Sequence, residues 1–224
     1  MKFIVFGLGH FGSALAIRLT EMGHEVIGVD NTMSRIEQLK NDITHTICLN
    51  STDKDAVQSL PLKDAHAVIV AIGEDESASL LTTALLKQLE VKRIIGRVVS
   101  DLQKTVLEAM SIQEFIMPEE ESAERLAMRL DLKEVVDSFK ISEKYSIVEG
   151  LVPAKFVGMT VGETDFINGY KVLVLTLIRQ NSQSGKGNPV REATGIVTAQ
   201  TVIQENDILV LFGELMNIRN LLKA

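Results

Sequence analysis

The chain has 224 residues and a formal net charge of −7, with 23 Lys and Arg against 30 Asp and Glu. This length suits one large domain or two modest ones, and an apolar fraction of 46% is enough for a packed core. The acidic balance argues against nucleic acid as a partner, because neutralising phosphates needs clustered Lys and Arg. A single cysteine, Cys48, excludes an intrachain disulfide framework and a cysteine-rich metal site. The apolar runs are too short to cross a bilayer and no signal peptide precedes the first predicted strand, so we expect a soluble cytoplasmic protein.

The first 130 residues repeat a short apolar run followed by an amphipathic stretch. The apolar runs predict strands at 3–6, 25–29, 46–49, 67–72, 93–99 and 115–117. The amphipathic stretches predict helices at 11–22, 33–40, 54–60, 76–89 and 102–110. The fourth run is apolar at each position, as a strand covered on both faces requires. This alternation predicts an α/β fold, a Rossmann-type doubly wound parallel sheet.

After about residue 135 the pattern changes. Strands are predicted at 145–152, 171–178 and 208–212, with turn-rich segments between them and a closing helix at 216–222. The stretch 181–188 has no apolar residue and predicts a mobile hairpin tip. A helix at 119–136 joins the two parts. We therefore predict a larger domain over 1–135 and a smaller α+β domain over 136–224, which is small enough to need a partner or a dimer.

A G-x-G-x-x-G motif lies between the first predicted strand and the first predicted helix. Its residues are Gly7, Leu8, Gly9, His10, Phe11 and Gly12. In a dinucleotide-binding loop Gly7 would permit the tight turn, Gly9 would let a pyrophosphate approach the backbone, and Gly12 would let helix and strand pack closely. The helix N-terminus then offers free N–H groups to the phosphates. The alternative is a purely structural glycine turn.

Asp30 directly follows the second predicted strand, where a carboxylate can accept hydrogen bonds from a ribose diol. The same carboxylate would repel a 2′-phosphate, which disfavours NADP. Because ligands lie beyond the carboxyl ends of parallel strands, polar and small residues after the strands are further candidates. These are Asn31, Asn50, Ser51, Thr52, Asp53, Ala71, Ile72 and Gly73.

Two further residues have alternative interpretations. Arg97, near the end of the fifth predicted strand, reaches either a terminal phosphate or a glutamate in a structural salt bridge. His10 either faces the phosphates as a neutral imidazole or is a bystander. The sequence shows no Ser-His-Asp or Cys-His arrangement, and no catalytic residue is predicted.

Several segments resemble the regulator-of-potassium-conductance family (RCK/KTN, TrkA type), the cytosolic regulatory subunits of Ktr and Trk potassium uptake systems. The segments are VFGLGHFG at 5–12, GHEV at 23–26, VD at 29–30, VAIG at 70–73, PE at 118–119 and EKYSIVE at 143–149. Individually they are common, and their order and spacing carry the resemblance. The resemblance covers the first part of the chain closely and the second more loosely.

The resemblance implies a domain that binds ATP, ADP or NAD(H) without turning them over, followed by a smaller C-terminal domain. It implies homodimers that assemble into an octameric ring beneath a membrane potassium channel, on the inner face of the cell membrane. Glu119 matches the position from which some relatives hold a divalent cation, Mg or Ca, at the dimer interface. His10 stands where an arginine is frequent, so ADP and NADH stay open beside ATP. Some relatives bind cyclic di-AMP in the C-terminal domain, and no contact for it is matched here.

Taken together, these features predict a nucleotide-binding regulatory subunit that gates potassium uptake. One alternative is an NAD-dependent dehydrogenase, which would need an acid–base residue near the nicotinamide. The chain has no histidine after His66 to serve in that role. Another alternative attaches the same nucleotide sensor to a cation–proton antiporter.

Overall fold

The computed structural model describes residues 1–181 and 190–224, which form two compact units, Met1–Glu120 and Glu121–Ala224. The predicted hairpin tip at 181–188 lies, apart from its first residue, outside the described residues. The predicted domain boundary at residue 135 stays a prediction. Within the described ranges no helix is both long and apolar enough to traverse a bilayer.

The first unit contains a six-stranded sheet with helices between the strands. The strands are β1 (Lys2–Phe6), β2 (Glu25–Asp30), β3 (His45–Cys48), β4 (Ala67–Val70), β5 (Ile94–Arg97) and β6 (Glu114–Ile116). The helices are α1 (His10–Glu21), α2 (Met33–Leu39), α3 (Lys54–Gln58), α4 (Glu76–Gln88) and α5 (Asp101–Ala109). Helix α6 (Pro118–Asp131) contains the division between the units.

All strand pairs of this sheet are parallel, and the strand order is β3-β2-β1-β4-β5-β6. Every residue of β4 is buried, because its side chains enter core clusters on opposite faces of the sheet. Val68 packs in one cluster and Ile69 in the other. The predicted Rossmann-type doubly wound sheet is confirmed, and the strand order reverses between β1 and β4.

Beyond α6, the described part of the second unit contains an antiparallel sheet with two helices. Its strands are β7 (Val135–Lys140), β8 (Tyr145–Leu151), β9 (Val172–Asn181), β10 (Val190–Ala193) and β11 (Ile208–Glu214), in the order β10-β9-β11-β8-β7. Its helices are α7 (Phe166–Tyr170) and the closing helix α8 (Leu215–Leu222), which buries Ile218, Leu221 and Leu222. The predicted α+β character of this part is confirmed.

The face of this sheet that points away from α8 is partly exposed and carries large apolar side chains beside the charged Asp137 and Glu149. Because side chains alternate between the faces of a strand, the neighbours of the buried Ser138, Ser146 and Val174 point away from the α8 side. The exposed apolar residues on this face include Phe139 (45%), Tyr145 (41%), Leu173 (45%) and Leu175 (39%).

The end of the joining helix was predicted wrongly, and two short elements of the second unit were missed. The helix predicted over 119–136 ends at Asp131, and Val135 begins a strand that pairs with β8. The β-branched pair at 135–136 fits a pleated strand better than a helix end, and pairing decides the outcome. Strand β10 and helix α7 were not predicted, because both are short and stand in turn-rich sequence.

Candidate functional site

A cavity of about 370 Å³ lies at the carboxyl ends of the parallel strands, beside the point where the strand order reverses. Its volume falls within the range of small-molecule sites. The lining consists of Gly7, Gly9, His10, Val29, Asp30, Asn31, Arg35, Leu49, Asn50, Ser51, Ala71, Ile72, Gly73, Glu74, Asp75, Ala78, Arg97 and Glu119.

The structure brings most of the predicted site residues to this cavity. The predicted residues in the lining are Gly7, Gly9, His10, Asp30, Asn31, Asn50, Ser51, Ala71, Ile72, Gly73, Arg97 and Glu119. The predicted residues outside it are Leu8, Phe11, Gly12, Thr52 and Asp53. Their role toward a nucleotide stays a prediction, and the structure shows what each does locally.

The glycine loop leaves room for a ligand at one position and needs glycine for packing at the others. Gly7 has a φ of +88°, and a Cβ there would lie 2.9 Å from the Ile72 backbone nitrogen. A Cβ on Gly12 would overlap the Gly7 carbonyl oxygen. A Cβ on Gly9 would meet nothing within 4 Å, because this residue borders the cavity. Gly9 is also the N-cap of α1 and supplies no side-chain cap, so the first N–H groups of the helix stay free for an anion.

Asp30 is 5% exposed and organises the loop before any ligand arrives. Its Oδ2 accepts a hydrogen bond from the Leu8 backbone N–H at 2.8 Å, and its Oδ1 accepts one from the Thr32 N–H at 2.8 Å. Leu8 thus contributes its backbone to the site while its side chain is buried. A carboxylate has about four acceptor sites, so capacity remains for a ribose hydroxyl.

The segment after β3 contributes its first residues to the cavity and uses the next ones to fold itself. Asn50 Oδ1 accepts bonds from the Thr52 N–H at 3.0 Å and the Thr52 hydroxyl at 2.8 Å. Asp53 is the N-cap of α3 and accepts bonds from the backbone N–H groups of residues 55 and 56. The lining residue Ser51 bonds at 2.8 Å to the buried hydroxyl of Thr82 on α4.

Arg97 and Glu119, both in the cavity lining, form a salt bridge. Arg97 also donates to the Ala71 carbonyl at 3.3 Å and lies 5.8 Å from the Phe11 ring centroid. Its buried Nε has no hydrogen-bond partner among the described residues. The structural salt bridge considered for Arg97 is therefore present, and its contact with a terminal phosphate stays a prediction. In the described part of the chain, no three His, Cys, Asp or Glu side chains form a metal-binding group.

Comparison with known proteins identifies the family. A model of the TrkA-N domain matches residues 3–118. The chain belongs to the TrkA-N domain family. The Ktr system potassium uptake protein C of Bacillus subtilis is 31% identical to it over 217 residues, which cover 97% of this chain and 94% of that protein.

Solved structures agree with the TrkA-N assignment at the level of the fold. The RCK domain of GsuK matches with a TM-score of 0.65 and 16% identity, over 99% of this chain and 47% of that one. The GsuK channel bound to NAD matches with a TM-score of 0.65 and 16% identity, over 98% of this chain and 38% of that one. The chain thus spans less than half of either structure, and at this identity the match shows the fold alone.

Three charged residues of this TrkA-N domain were not predicted as part of the site. Arg35, in the first turn of α2, donates to Asp30 at 3.4 Å and to both Glu74 oxygens at 3.2 and 3.3 Å. Hydrogen bonding to Glu74 raises the pKa of Arg35. Asp75 caps α4 through the Ala78 N–H at 2.9 Å. Glu74 and Asp75 could have been predicted, because they directly follow the predicted residues 71–73. No feature of the sequence pointed to Arg35.

The lining of this TrkA-N site carries an excess of negative charge. In the part of the molecule that the structure describes, four carboxylates and two guanidinium groups border the cavity. The carboxylates belong to Asp30, Glu74, Asp75 and Glu119, and the guanidinium groups to Arg35 and Arg97. The other lining residues not predicted are Val29, Leu49 and Ala78. An anionic ligand must therefore rely on the helix N-terminus or on a bound cation to offset repulsion.

Proposed function

We propose that this chain is the nucleotide-binding regulatory subunit of a membrane potassium uptake system, and that bound nucleotide gates the system through a conformational change. The observation that carries the proposal is the length of the similarity to the Ktr protein. It extends over 97% of this chain and 94% of a protein named as part of a potassium uptake system, so both units have counterparts there.

The proposed ligand is an adenine nucleotide, namely ATP, ADP or NAD(H). Three features of the cavity support it: the open space at Gly9, the uncapped N-terminus of α1 and the buried carboxylate at Asp30. Together they suit phosphates at one end and a ribose at the other. Binding of NAD by the similarly folded GsuK channel agrees with this ligand class.

A divalent cation, Mg or Ca, is proposed beside the phosphates, with Glu119 as one ligand. The acidic excess of the lining supports it, because a cation between Glu119 and the phosphates would turn repulsion into attraction. One carboxylate is too few for a complete site, so phosphate oxygens or a second copy of the chain must supply the remaining ligands.

Catalysis has no part in the proposed mechanism. A nucleotide that binds two conformations of the assembly with different affinity shifts their balance. Moving such a balance from 1:99 to 99:1 takes about 5.5 kcal/mol of differential binding, or about 0.7 kcal/mol for each of eight sites. One altered phosphate contact is of that size.

The proposed assembly is a homodimer that builds an octameric ring on the cytoplasmic side of the membrane, attached to its membrane partner. The partly exposed face of the second unit supports self-association, because the large apolar side chains of Phe139, Tyr145, Leu173 and Leu175 are exposed on one side of a sheet. A cyclic di-AMP site in this unit is not part of the proposal.

Calorimetric titration of the purified chain with ATP, ADP and NADH tests the ligand, and light scattering with and without nucleotide tests the assembly. Saturable binding without consumption of the nucleotide is expected. Oxidation or reduction of a substrate with turnover of NAD(H) would favour the dehydrogenase alternative and contradict the proposal. Co-purification with a potassium channel subunit rather than an antiporter separates the two possible membrane partners.

A further inference from the structure

The ribose end of the cavity contains two groups with opposite preferences for a 2′-phosphate. An acidic residue at the end of β2 favours a free ribose diol, whereas an arginine close by accommodates a 2′-phosphate. Here both are present, because Asp30 ends β2 and Arg35 follows in the first turn of α2. Asp30 alone does not decide the specificity of such a site.

Glu74 already occupies hydrogen-bond donors of Arg35 that a ligand phosphate would need. The two terminal nitrogens of Arg35 are directed to carboxylates, Nη1 to Asp30 at 3.4 Å and Nη2 to both oxygens of Glu74. Glu74 lies 39 positions further along the chain, just after β4 on the neighbouring side of the cavity. A 2′-phosphate would have to displace Glu74 from Arg35 while lying close to a second, buried carboxylate.

The two carboxylates differ in their freedom to move. The Asp30 side chain is 3% exposed and is held by two backbone N–H groups, so it stays in place. The Glu74 side chain is 80% exposed and contributes little to the fold. Glu74 is therefore the group that can be changed without disturbing the site.

We propose that Glu74 is a specificity-determining residue, which neutralises Arg35 and thereby excludes nucleotides that carry a 2′-phosphate. This inference rests on the proposed adenine-nucleotide function. Asp30 begins the selection against a 2′-phosphate, and Glu74 completes it, because an Arg35 released from Glu74 would favour that phosphate.

Matched ligand pairs that differ only by the 2′-phosphate test the proposal: NADH with NADPH, and AMP with adenosine 2′,5′-bisphosphate. Affinities are measured by calorimetry for the full chain and for Glu74→Gln, which keeps the shape and removes the charge. We expect the wild type to prefer the ligand without the 2′-phosphate. In Glu74→Gln this preference should fall about tenfold, through tighter binding of the 2′-phosphorylated ligand.

Two controls make the result specific. Glu37→Gln removes an exposed carboxylate from α2 that pairs with Lys40 outside the cavity, and it should leave the preference unchanged. Adding Arg35→Met to Glu74→Gln should abolish the gain, because the gain requires the Arg35 guanidinium. An unchanged preference in Glu74→Gln, with NADH still bound, would overturn this inference and leave the proposed function intact. Absence of binding by every adenine nucleotide would overturn both.

Discussion

The Asp30 carboxylate accepts a hydrogen bond from the Leu8 backbone N–H at 2.8 Å, and both groups are buried. The residue predicted to hold the ribose therefore also fixes the glycine loop that is proposed to hold the phosphates. Because one side chain serves both the ribose and the glycine loop, a substitution of Asp30 changes nucleotide affinity and the stability of the loop together.

Asp30→Ala should weaken all adenine nucleotides and also destabilise the first unit. Removal of the Asp30 carboxylate leaves the Leu8 N–H without its buried partner, which costs about 1–3 kcal/mol of unfolding free energy. Asp30→Asn keeps one acceptor oxygen and should cost less. Urea unfolding measures the stability and calorimetry the affinity. If Asp30→Ala unfolds at the wild-type midpoint, the loop does not depend on this carboxylate.

Substitution by alanine should mainly reduce nucleotide affinity at Gly9 and mainly reduce the stability of the fold at Gly12. Gly9→Ala adds a methyl group in open space and should cost less than about 1 kcal/mol of stability, while nucleotide affinity falls about tenfold or more. Gly12→Ala overlaps the Gly7 carbonyl and should destabilise the unit by about 1–3 kcal/mol even without ligand. Thermal unfolding with and without ADP separates the two effects. Full ADP affinity in Gly9→Ala would remove this loop from the phosphate site.

Glu119→Gln should abolish any enhancement of nucleotide affinity by Mg or Ca. It should also strengthen binding in the absence of the cation, because a carboxylate that repels phosphate is lost and Arg97 is released from its salt bridge. Titration of ADP with and without Mg measures both effects. Glu121→Gln, an exposed position on the same helix outside the cavity lining, is the matched control. A cation response that survives in Glu119→Gln would exclude this residue as a ligand.

The second unit should lose stability in acid through Asp137. The hydrogen bond from Arg125 holds the pKa of Asp137 below its ordinary value of 3.8. A carboxyl group with a lowered folded-state pKa stabilises the fold above its unfolded pKa, and this contribution is lost as pH falls through the folded value. Asp137→Asn should therefore flatten the decline in the urea midpoint below about pH 4. Glu205→Gln, at an exposed loop position, should leave the decline as it is in the wild type.

The sequence predicted those parts of the site that depend on local backbone requirements. Gly7 and Gly12 are needed for a turn and a close contact within six residues, and Asp30 ends a strand whose apolar pattern is plain. The Arg35–Glu74 pair joins residues 39 positions apart, one on α2 and one between β4 and α4, and no local sequence pattern indicates this contact. Strand β7 was missed for the same reason, because its pairing with β8 outweighs the helical composition of the residues before it.

Potassium uptake by cells that lack their own regulatory subunit, and that express the membrane partner with this chain, measures the proposed function most directly. Wild-type protein should restore uptake, and Gly9→Asp, folded but unable to accept phosphates, should not. Circular dichroism and thermal unfolding confirm that the variant is folded. Equal uptake with wild-type protein and with a folded Gly9→Asp variant that binds no nucleotide would contradict regulation by nucleotide binding at this site.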